Sequence, residues 1–272
     1  MGVNAYDTIF YERIPVHDRM DSNLSLIASL LDVAASYFGS QWSFVGGVPR
    51  DIYFDKLYHD YDVCIAYNLH SIIQFLEDMG VLIDDLPNQE RESHTHFYLF
   101  NPYQFRSNPY PIHFISAEEH GAFAPLRFDY TINHLSLKSN GYLYVPHYVK
   151  KDLERRILRK SSVARMGTTE VMRAIRFACR YELAIHPDTE EAMKNRIQLH
   201  HDEEAYMGTD ILLKHARKMQ KDGLDDLCFD MMKKFHLPYV EEVNNLSQYI
   251  KLLNDQILYG KAVLEGNLEY DE

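Results

Sequence analysis

The chain has 272 residues, 46% of them hydrophobic, and a formal net charge of −12. This hydrophobic content is sufficient for a packed core, and the acidic balance argues against a protein that coats nucleic acid through charge alone. The 3 cysteines, Cys64, Cys179 and Cys228, lie far apart, which excludes a CxxC zinc module and a disulfide framework and favours a reducing, cytoplasmic compartment. The sequence shows no secretory leader and no apolar run of transmembrane length, so no membrane association is expected.

The first half of the chain predicts helices that alternate with strands. Asp21 or Ser22 can cap a helix whose apolar residues from Leu24 to Phe38 recur at helical spacing, and Gly39 would end it. The further predicted elements are the strand Gln41–Val45, the helix Val48–Leu57, the strand His59–Ala66, the helix Asn68–Met79 and the strands Val81–Asp84, Thr95–Phe100 and Tyr110–Ile115.

The second half predicts helices throughout, from about Thr168 onward. We therefore expect an α+β protein, with a mixed-sheet domain over residues 1–160 and an all-helical domain over residues 161–272. The boundary is expected near Ser161–Gly167. The predicted helices are Val171–Leu183, Thr189–Leu199, Thr209–Lys221, Leu224–Phe235 and Val240–Leu258.

The stretch Phe44–Ala66 combines a double-glycine turn with two closely spaced aspartates. Asp60 and Asp62 are two residues apart on a predicted strand, so both carboxylates point to one face of the sheet. Such a pair repels unless a cation lies between the groups, and hard oxygen ligands suit Mg²⁺ or Mn²⁺, which also bind substrate phosphates. The turn at Gly46 and Gly47 would let backbone N–H groups approach an anion closely. Together these features predict a metal–phosphate site.

The motif VGGVPRD, followed after eight residues by DYD, resembles the head-domain motif of class II tRNA nucleotidyltransferases and bacterial poly(A) polymerases. RFDYTIN at residues 127–133 and VMRAIRFA at residues 171–178 extend the resemblance, which covers about Trp42 to Tyr239. It implies a nucleotidyltransferase head of the polymerase β type, followed by a helical neck and body.

The resemblance also implies a reaction and a set of site residues. Asp60 and Asp62 would be the catalytic residues and would bind two metal ions, Mg²⁺ or Mn²⁺, for transfer of a nucleotide from an NTP to an acceptor 3′-hydroxyl. Arg50 and Asp51 would support the glycine turn, and Asp129 would read the ribose. The implied nucleotide-binding residues are Gly46, Gly47, Arg50, Asp51, Arg127, Asp129, Asn133, Arg173 and Arg176.

The segment Lys150–Arg180 is basic, with ten Lys or Arg residues against three acidic ones. Arg173, Arg176 and Arg180 are spaced three and four apart, which places three like charges on one helical stripe and favours an anionic partner. We expect this segment to bind phosphates of an RNA acceptor.

Departures from the family pattern predict altered base selection. The positions of the family's base-reading E-D-x-x-R element fall on Met166, Gly167 and Glu170, and these side chains cannot reproduce its donors and acceptors. Glu170 also lies three residues before Arg173, where an ion pair within the helix is a simpler explanation. His113 stands where many nucleotidyltransferases place a third carboxylate, and it could bind a metal, act as a base or serve the structure alone.

The sequence therefore predicts a template-independent nucleotidyltransferase whose acceptor is an RNA 3′ end of the tRNA type. Two alternatives stay open: a nucleotide- or RNA-binding protein with altered chemistry, and nucleotidyl transfer to a non-RNA acceptor. Metal-dependent hydrolysis at His94 and His96 is a weaker alternative, because no matching Asp/His set lies nearby in the sequence.

Overall fold

The computed structural model describes residues 11–58, 61–65, 69–80, 82–84, 94–99, 110–116, 128–201 and 207–264. It divides into two units, Met1–Glu154 and Arg155–Glu272. The division therefore falls a few residues before the expected boundary after residue 160. The strand Ile157–Leu158 (β9) accounts for the difference, because it pairs in parallel with Ala184–Ile185 (β10) of the second unit.

The first unit is built on an eight-stranded sheet in the order β1-β8-β7-β2-β3-β6-β5-β4. The β3–β6 pair is parallel and the other neighbouring strands are antiparallel, so the predicted mixed sheet is confirmed. The strands are Tyr11–Pro15 (β1), Trp42–Val45 (β2), Tyr61–Ile65 (β3), Leu82–Asp84 (β4), His94–Leu99 (β5), Tyr110–Ser116 (β6), Ser136–Leu137 (β7) and Tyr142–Pro146 (β8). The helices described in this unit are Ser22–Tyr37 (α1), Gly47–Tyr53 (α2), Leu69–Asp78 (α3) and His147–Glu154 (α4).

The helix α1 shows how local signals and burial agree in the first unit. The side chain of Asp21 accepts a hydrogen bond of 2.7 Å from the backbone N–H of Leu24, which satisfies one of the free donors of the first turn. Leu24, Ile27 and Leu31 recur at helical spacing and are buried. Phe44 of β2 is fully buried as well, so the sheet contributes to the core of this unit. Burial of such apolar faces is the main source of folding free energy.

The second unit is helical, as predicted. Its described helices are Thr168–Tyr181 (α5), Pro187–His201 (α6), Thr209–Lys221 (α7), Asp225–Lys234 (α8) and Leu246–Leu264 (α9). In the described part of the chain, no helix is both long and apolar enough to cross a membrane.

The predicted helix Val240–Leu258 is wrong at its start. Val240–Glu242 forms a separate 3₁₀ turn, and Val243 has extended backbone angles. The side chain of Asn245 then accepts from the backbone N–H of Gln248 at 2.9 Å, so a new helix begins there. The sequence did not reveal this break, because the apolar residues keep their helical spacing across it and the capping residue Asn245 lies within that pattern.

Candidate active site

The glycine turn lies against the strand that carries the DYD motif. β2 and β3 are antiparallel with Val45 opposite Asp62, so the chain turns at Gly46 beside the Asp62 carboxylate. Gly46 has φ 65° and ψ −113° and precedes the first residue of α2. A Cβ atom added at Gly46 would lie 2.7 Å from Oδ2 of Asp62, well inside van der Waals contact. Only glycine fits both the backbone conformation and this close approach. Asp60, the second aspartate of the motif, lies outside the described residues.

Asp62 has a polar partner on the neighbouring strand. β3 and β6 are parallel, and their register places Asp62 beside His113. Nδ1 of His113 lies 3.1 Å from Oδ1 of Asp62. The two side chains are 21% and 29% exposed, respectively, so a ligand from solvent can reach both. The structure thus brings His113 to the carboxylate, and the sequence alone had left its role open.

The chemistry of this cluster fits a divalent metal ion with a phosphate. Asp62 offers a partly exposed carboxylate oxygen beside a turn that has no Cβ, and Mg²⁺ and Mn²⁺ prefer oxygen ligands. Over the residues that the structure describes, which omit Asp60, no group of three or more His, Cys, Asp or Glu side chains could hold a metal ion. His96 of β5 lies opposite His113 in the sheet register.

A buried polar network lies next to the turn in the first unit. NH1 of Arg50 donates to Oδ1 of Asn133 at 2.6 Å, and Nδ2 of Asn133 donates to Oδ1 of Asp129 at 2.9 Å. Nε of Arg50 also lies 3.3 Å from Oδ1 of Asp51. All four residues are buried, and the Arg50 guanidinium pairs with the Asp51 carboxylate within the network. Four of the predicted nucleotide-binding residues are thus brought together. Arg127 lies outside the described residues.

The hydrogen bonds of this network indicate that Arg50 supports the backbone around the glycine turn. Its guanidinium links α2 to the 3₁₀ turn Thr131–Asn133, which is distant in sequence. Asn133 in turn orients Asp129, since its amide contacts both groups. The expected support of the turn by Arg50 and Asp51 agrees with these contacts, while direct contact with a nucleotide stays a prediction.

A second hydrogen-bonded chain involves residues that the sequence did not single out. His134 is buried, with Nε2 3.2 Å from the backbone carbonyl of Phe128 and Nδ1 2.8 Å from the hydroxyl of Tyr148. A carbonyl only accepts, so Nε2 carries the proton and Nδ1 accepts from Tyr148. Burial lowers the pKa of His134 below its ordinary value, which is consistent with a neutral ring. Phe128 packs on the core cluster of Val45, Cys64 and Ile115.

In the second unit, two of the three predicted arginines share one carboxylate. Nε of Arg176 lies 2.6 Å from Oδ2 of Asp222, and NH1 of Arg180 lies 2.9 Å from Oδ1. Burial alone would raise the pKa of Asp222, but the hydrogen bonds and charges of both arginines outweigh it and hold that pKa low. The guanidinium of Arg173 lies over the ring of Phe177, 5.4 Å from its centroid. Asp222 thus supplies an anion for the stripe. Asp222 lies 46 residues after Arg176 in the sequence, so no local pattern could identify it as the partner.

The basic segment Lys150–Arg180 also has partners inside the protein. Lys150 lies 2.7 Å from Glu12 and 3.5 Å from Glu154. Lys160 donates through Nζ to the backbone carbonyls of Ser161 and Ala164. Part of the local positive charge is therefore already compensated or used to hold a loop.

Glu170 caps a helix. Its Oε2 accepts from the backbone N–H of Gly167 at 2.9 Å, which satisfies a donor at the start of α5. This contact gives Glu170 a structural role at the position where the family's base-reading arginine is expected.

Comparison with known proteins agrees with this fold. No protein-family model matches the chain. The CCA-adding enzyme of Streptococcus uberis is 29% identical over 171 residues, which cover 59% of this chain and 42% of that enzyme. The chain therefore spans about two fifths of the length of this relative.

Solved structures give the same result for the fold. A CCA-adding enzyme in complex with CTP superposes with a TM-score of 0.65 at 19% identity, covering 84% of this chain and 56% of the other. The Thermotoga maritima CCA-adding enzyme complexed with tRNA superposes with a TM-score of 0.58 at 20% identity, covering 78% and 55%. The chain therefore shares the fold of these enzymes, with one mixed-sheet unit and one helical unit. The chain is thus similar to CCA-adding enzymes in sequence and in fold, which is the resemblance that its motifs indicated.

Proposed function

We propose that the protein is a template-independent nucleotidyltransferase that moves a nucleotide from an NTP to the 3′ end of an RNA acceptor of the tRNA type. The observation that carries this proposal is the close approach of the Asp62 carboxylate to Gly46. This contact supports the proposal, because it brings a carboxylate, the kind of ligand that Mg²⁺ prefers, to a turn whose backbone N–H groups would be open to a phosphate. The relatives named CCA-adding enzyme, one of them solved with CTP and one with tRNA, support the same reaction class.

Asp60 and Asp62 are the proposed catalytic and metal-binding residues. With bound Mg²⁺ or Mn²⁺, the site would gain a Lewis acid that stabilises charge on the phosphoryl oxygens and on the leaving pyrophosphate. The chain's own task is to hold the two carboxylates on one strand face and to keep the turn at Gly46 and Gly47 open. Backbone N–H groups of that turn would then bind the triphosphate.

The other proposed nucleotide-binding residues of the first unit have two roles: contact with the ribose and support of the glycine turn. Asp129, oriented by Asn133 and flanked by Arg127 in sequence, would accept a hydrogen bond from a ribose hydroxyl. The 2′-hydroxyl is a donor that DNA precursors lack, so this contact would select ribonucleotides. Arg50 and Asp51 would keep the turn in place through the buried network.

Basic side chains of the segment Lys150–Arg180 would bind phosphates. Arg173 and Arg176 are proposed for the nucleotide, and the segment Lys150–Arg180 for the RNA acceptor. Because Asp222 already neutralises part of the charge on Arg176, we expect this electrostatic contribution to be moderate. Acceptor binding should nevertheless weaken as salt rises, and binding that ignored salt would contradict the role of the segment.

The test is labelled-nucleotide transfer with purified protein, Mg²⁺ or Mn²⁺, and a tRNA that lacks its 3′ end. Asp62→Asn and Asp60→Asn should each abolish transfer while far-UV circular dichroism stays unchanged. Full activity in both variants would disprove the catalytic assignment. We place the reaction in the cytoplasm, in keeping with the reduced cysteines.

Base selection is tested by offering each of the four NTPs separately. The loss of the E-D-x-x-R side chains at Met166, Gly167 and Glu170 predicts relaxed or altered selection. Strictly ordered addition of C, C and A would overturn this part of the proposal. Label found on total cellular protein or on a small molecule, with none on RNA, would replace the RNA acceptor by a different one.

A further inference from the structure

His113 is in direct contact with the carboxylate that carries the proposed reaction. It lies beside Asp62 on the adjacent parallel strand, and its Nδ1 is 3.1 Å from Oδ1. An ionised carboxylate can only accept hydrogen bonds. The contact is therefore attractive when Nδ1 carries a proton, and a protonated Nδ1 cannot at the same time bind a metal ion.

The two oxygens of Asp62 face different neighbours. Oδ1 meets the imidazole of His113, while Oδ2 lies closest to the position that a Cβ of Gly46 would occupy. A carboxylate held at one oxygen cannot rotate freely about its Cβ–Cγ bond. The other oxygen then keeps a constant direction toward the glycine turn.

We propose that His113 is a positioning residue: its Nδ1–H donates to Oδ1 of Asp62 and directs Oδ2 toward the turn at Gly46. The inference rests on the proposed role of Asp62 as a metal ligand. Hydrogen-bond partners of metal-binding groups fix their orientation, and their loss costs about 10–100-fold in metal affinity or activity. His113 acts through Asp62 and has no separate contact with the reacting atoms in this assignment.

The chain offers a matched pair of substitutions at this position. Leucine and asparagine have the same branching at Cγ, but only asparagine keeps a nitrogen donor at the place of Nδ1. In His113→Leu the carboxylate loses its donor, whereas in His113→Asn the side-chain amide can replace it. Comparison of these two variants separates the hydrogen bond from the space that the side chain fills.

The readout is Mn²⁺ binding to the whole 272-residue chain in the absence of nucleotide. Binding is measured by electron paramagnetic resonance, as the decrease in the signal of free Mn²⁺. Asp62→Asn serves as the reference for loss of the site. We expect His113→Leu to bind Mn²⁺ about 10–100-fold more weakly, and His113→Asn to bind close to the wild type. In transfer assays His113→Leu should lower kcat and leave the KM for NTP unchanged.

Three results would overturn the inference. The first is unchanged Mn²⁺ binding in His113→Leu, and the second is equal weakening in both variants. The third is directly bonded ¹⁴N coupling from His113 in the wild-type Mn²⁺ complex, which would make the imidazole a ligand. If His113→Leu does not fold, ¹⁵N NMR of the wild type decides: a proton on Nδ1 of His113 supports the inference and a bare Nδ1 refutes it.

Metal binding is measured without transfer, so failure of the two proposals can be told apart. A protein that transfers no nucleotide, yet shows the predicted Mn²⁺ difference between the two variants, retains the positioning role and loses the proposed function. A protein that transfers nucleotide, with Mn²⁺ binding unchanged in His113→Leu, retains the function and loses the positioning role.

Discussion

The substitution Gly46→Ala changes one atom at the centre of the candidate site. The new Cβ would lie 2.7 Å from Oδ2 of Asp62, a separation that real Cβ atoms essentially never show. The backbone at Gly46 also has φ 65° and ψ −113°, a combination that residues other than glycine avoid. Alanine is therefore strained twice at this position, once by its own backbone and once by a neighbour that belongs to the proposed metal site.

The expected magnitude follows from these two contributions. A strained backbone conformation costs about 1–3 kcal/mol. To relieve the contact, the Asp62 carboxylate must move by several tenths of an ångström, which weakens its 3.1 Å contact with His113 and costs about 1 kcal/mol more. We expect the free energy of unfolding to fall by about 2–4 kcal/mol. A displacement of about 1 Å in a catalytic group can lower a rate about 100-fold, so the smaller shift of Asp62 should lower transfer about 10-fold or more.

Gly39→Ala is the matched control. Gly39 has φ 64°, nearly the same as Gly46, but a Cβ there meets nothing within 4 Å. Urea denaturation of both variants should show a loss of about 1–2 kcal/mol for Gly39→Ala, from backbone strain alone. Mn²⁺ binding and nucleotide transfer should stay unchanged in Gly39→Ala and fall strongly in Gly46→Ala. If the two variants behave alike in all three measurements, the close approach of Gly46 to Asp62 is not what shapes the site.

Two further predictions concern the helical unit. Asp222→Asn should lower the free energy of unfolding at neutral pH by about 1.5–3 kcal/mol, because Arg176 and Arg180 lose the partly buried carboxylate that they share. Urea denaturation checks this, and a change below about 0.5 kcal/mol would contradict the pairing. Burial, reinforced by nearby lysines and arginines, lowers the pKa of His215 to about 4 from an ordinary 6.5. The unfolded chain then binds the proton first as pH falls, so stability should decrease between about pH 6.5 and 4, by about 3 kcal/mol in total. His215→Leu should remove this contribution and make the decrease smaller, and a substitution at the exposed His236 should leave it in place.

Local sequence signals determined much of the secondary structure. Asp21 caps α1 as expected, and the predicted helix Thr209–Lys221 has the observed bounds. These successes depend on capping and periodicity, which act over one or two helical turns. The failure at Val240–Glu242 has the same origin, because a break without glycine or proline leaves the apolar period intact.

The candidate site was predictable to a different degree at each residue. Gly46 and Asp62 belong to a motif of fixed spacing, and the structure places them in contact. The grouping of Arg50 with Asn133 could be inferred through the family resemblance, but their 2.6 Å hydrogen bond joins residues 83 positions apart. Nothing in the local sequence encodes such a contact, because it depends on how the sheet brings α2 to the 3₁₀ turn.

The sequence by itself therefore determined the prediction of a metal–phosphate site. Two aspartates two residues apart and a double-glycine turn are local features, and their interpretation depends only on side-chain periodicity and backbone freedom. Only the tertiary structure decided the partners of those features. Strand register placed His113 beside Asp62, and the end of α7 brought Asp222 to Arg176. The physical reason is that register and helix packing are set by burial summed over the whole unit, so the neighbour of a polar side chain is fixed only when the core is complete.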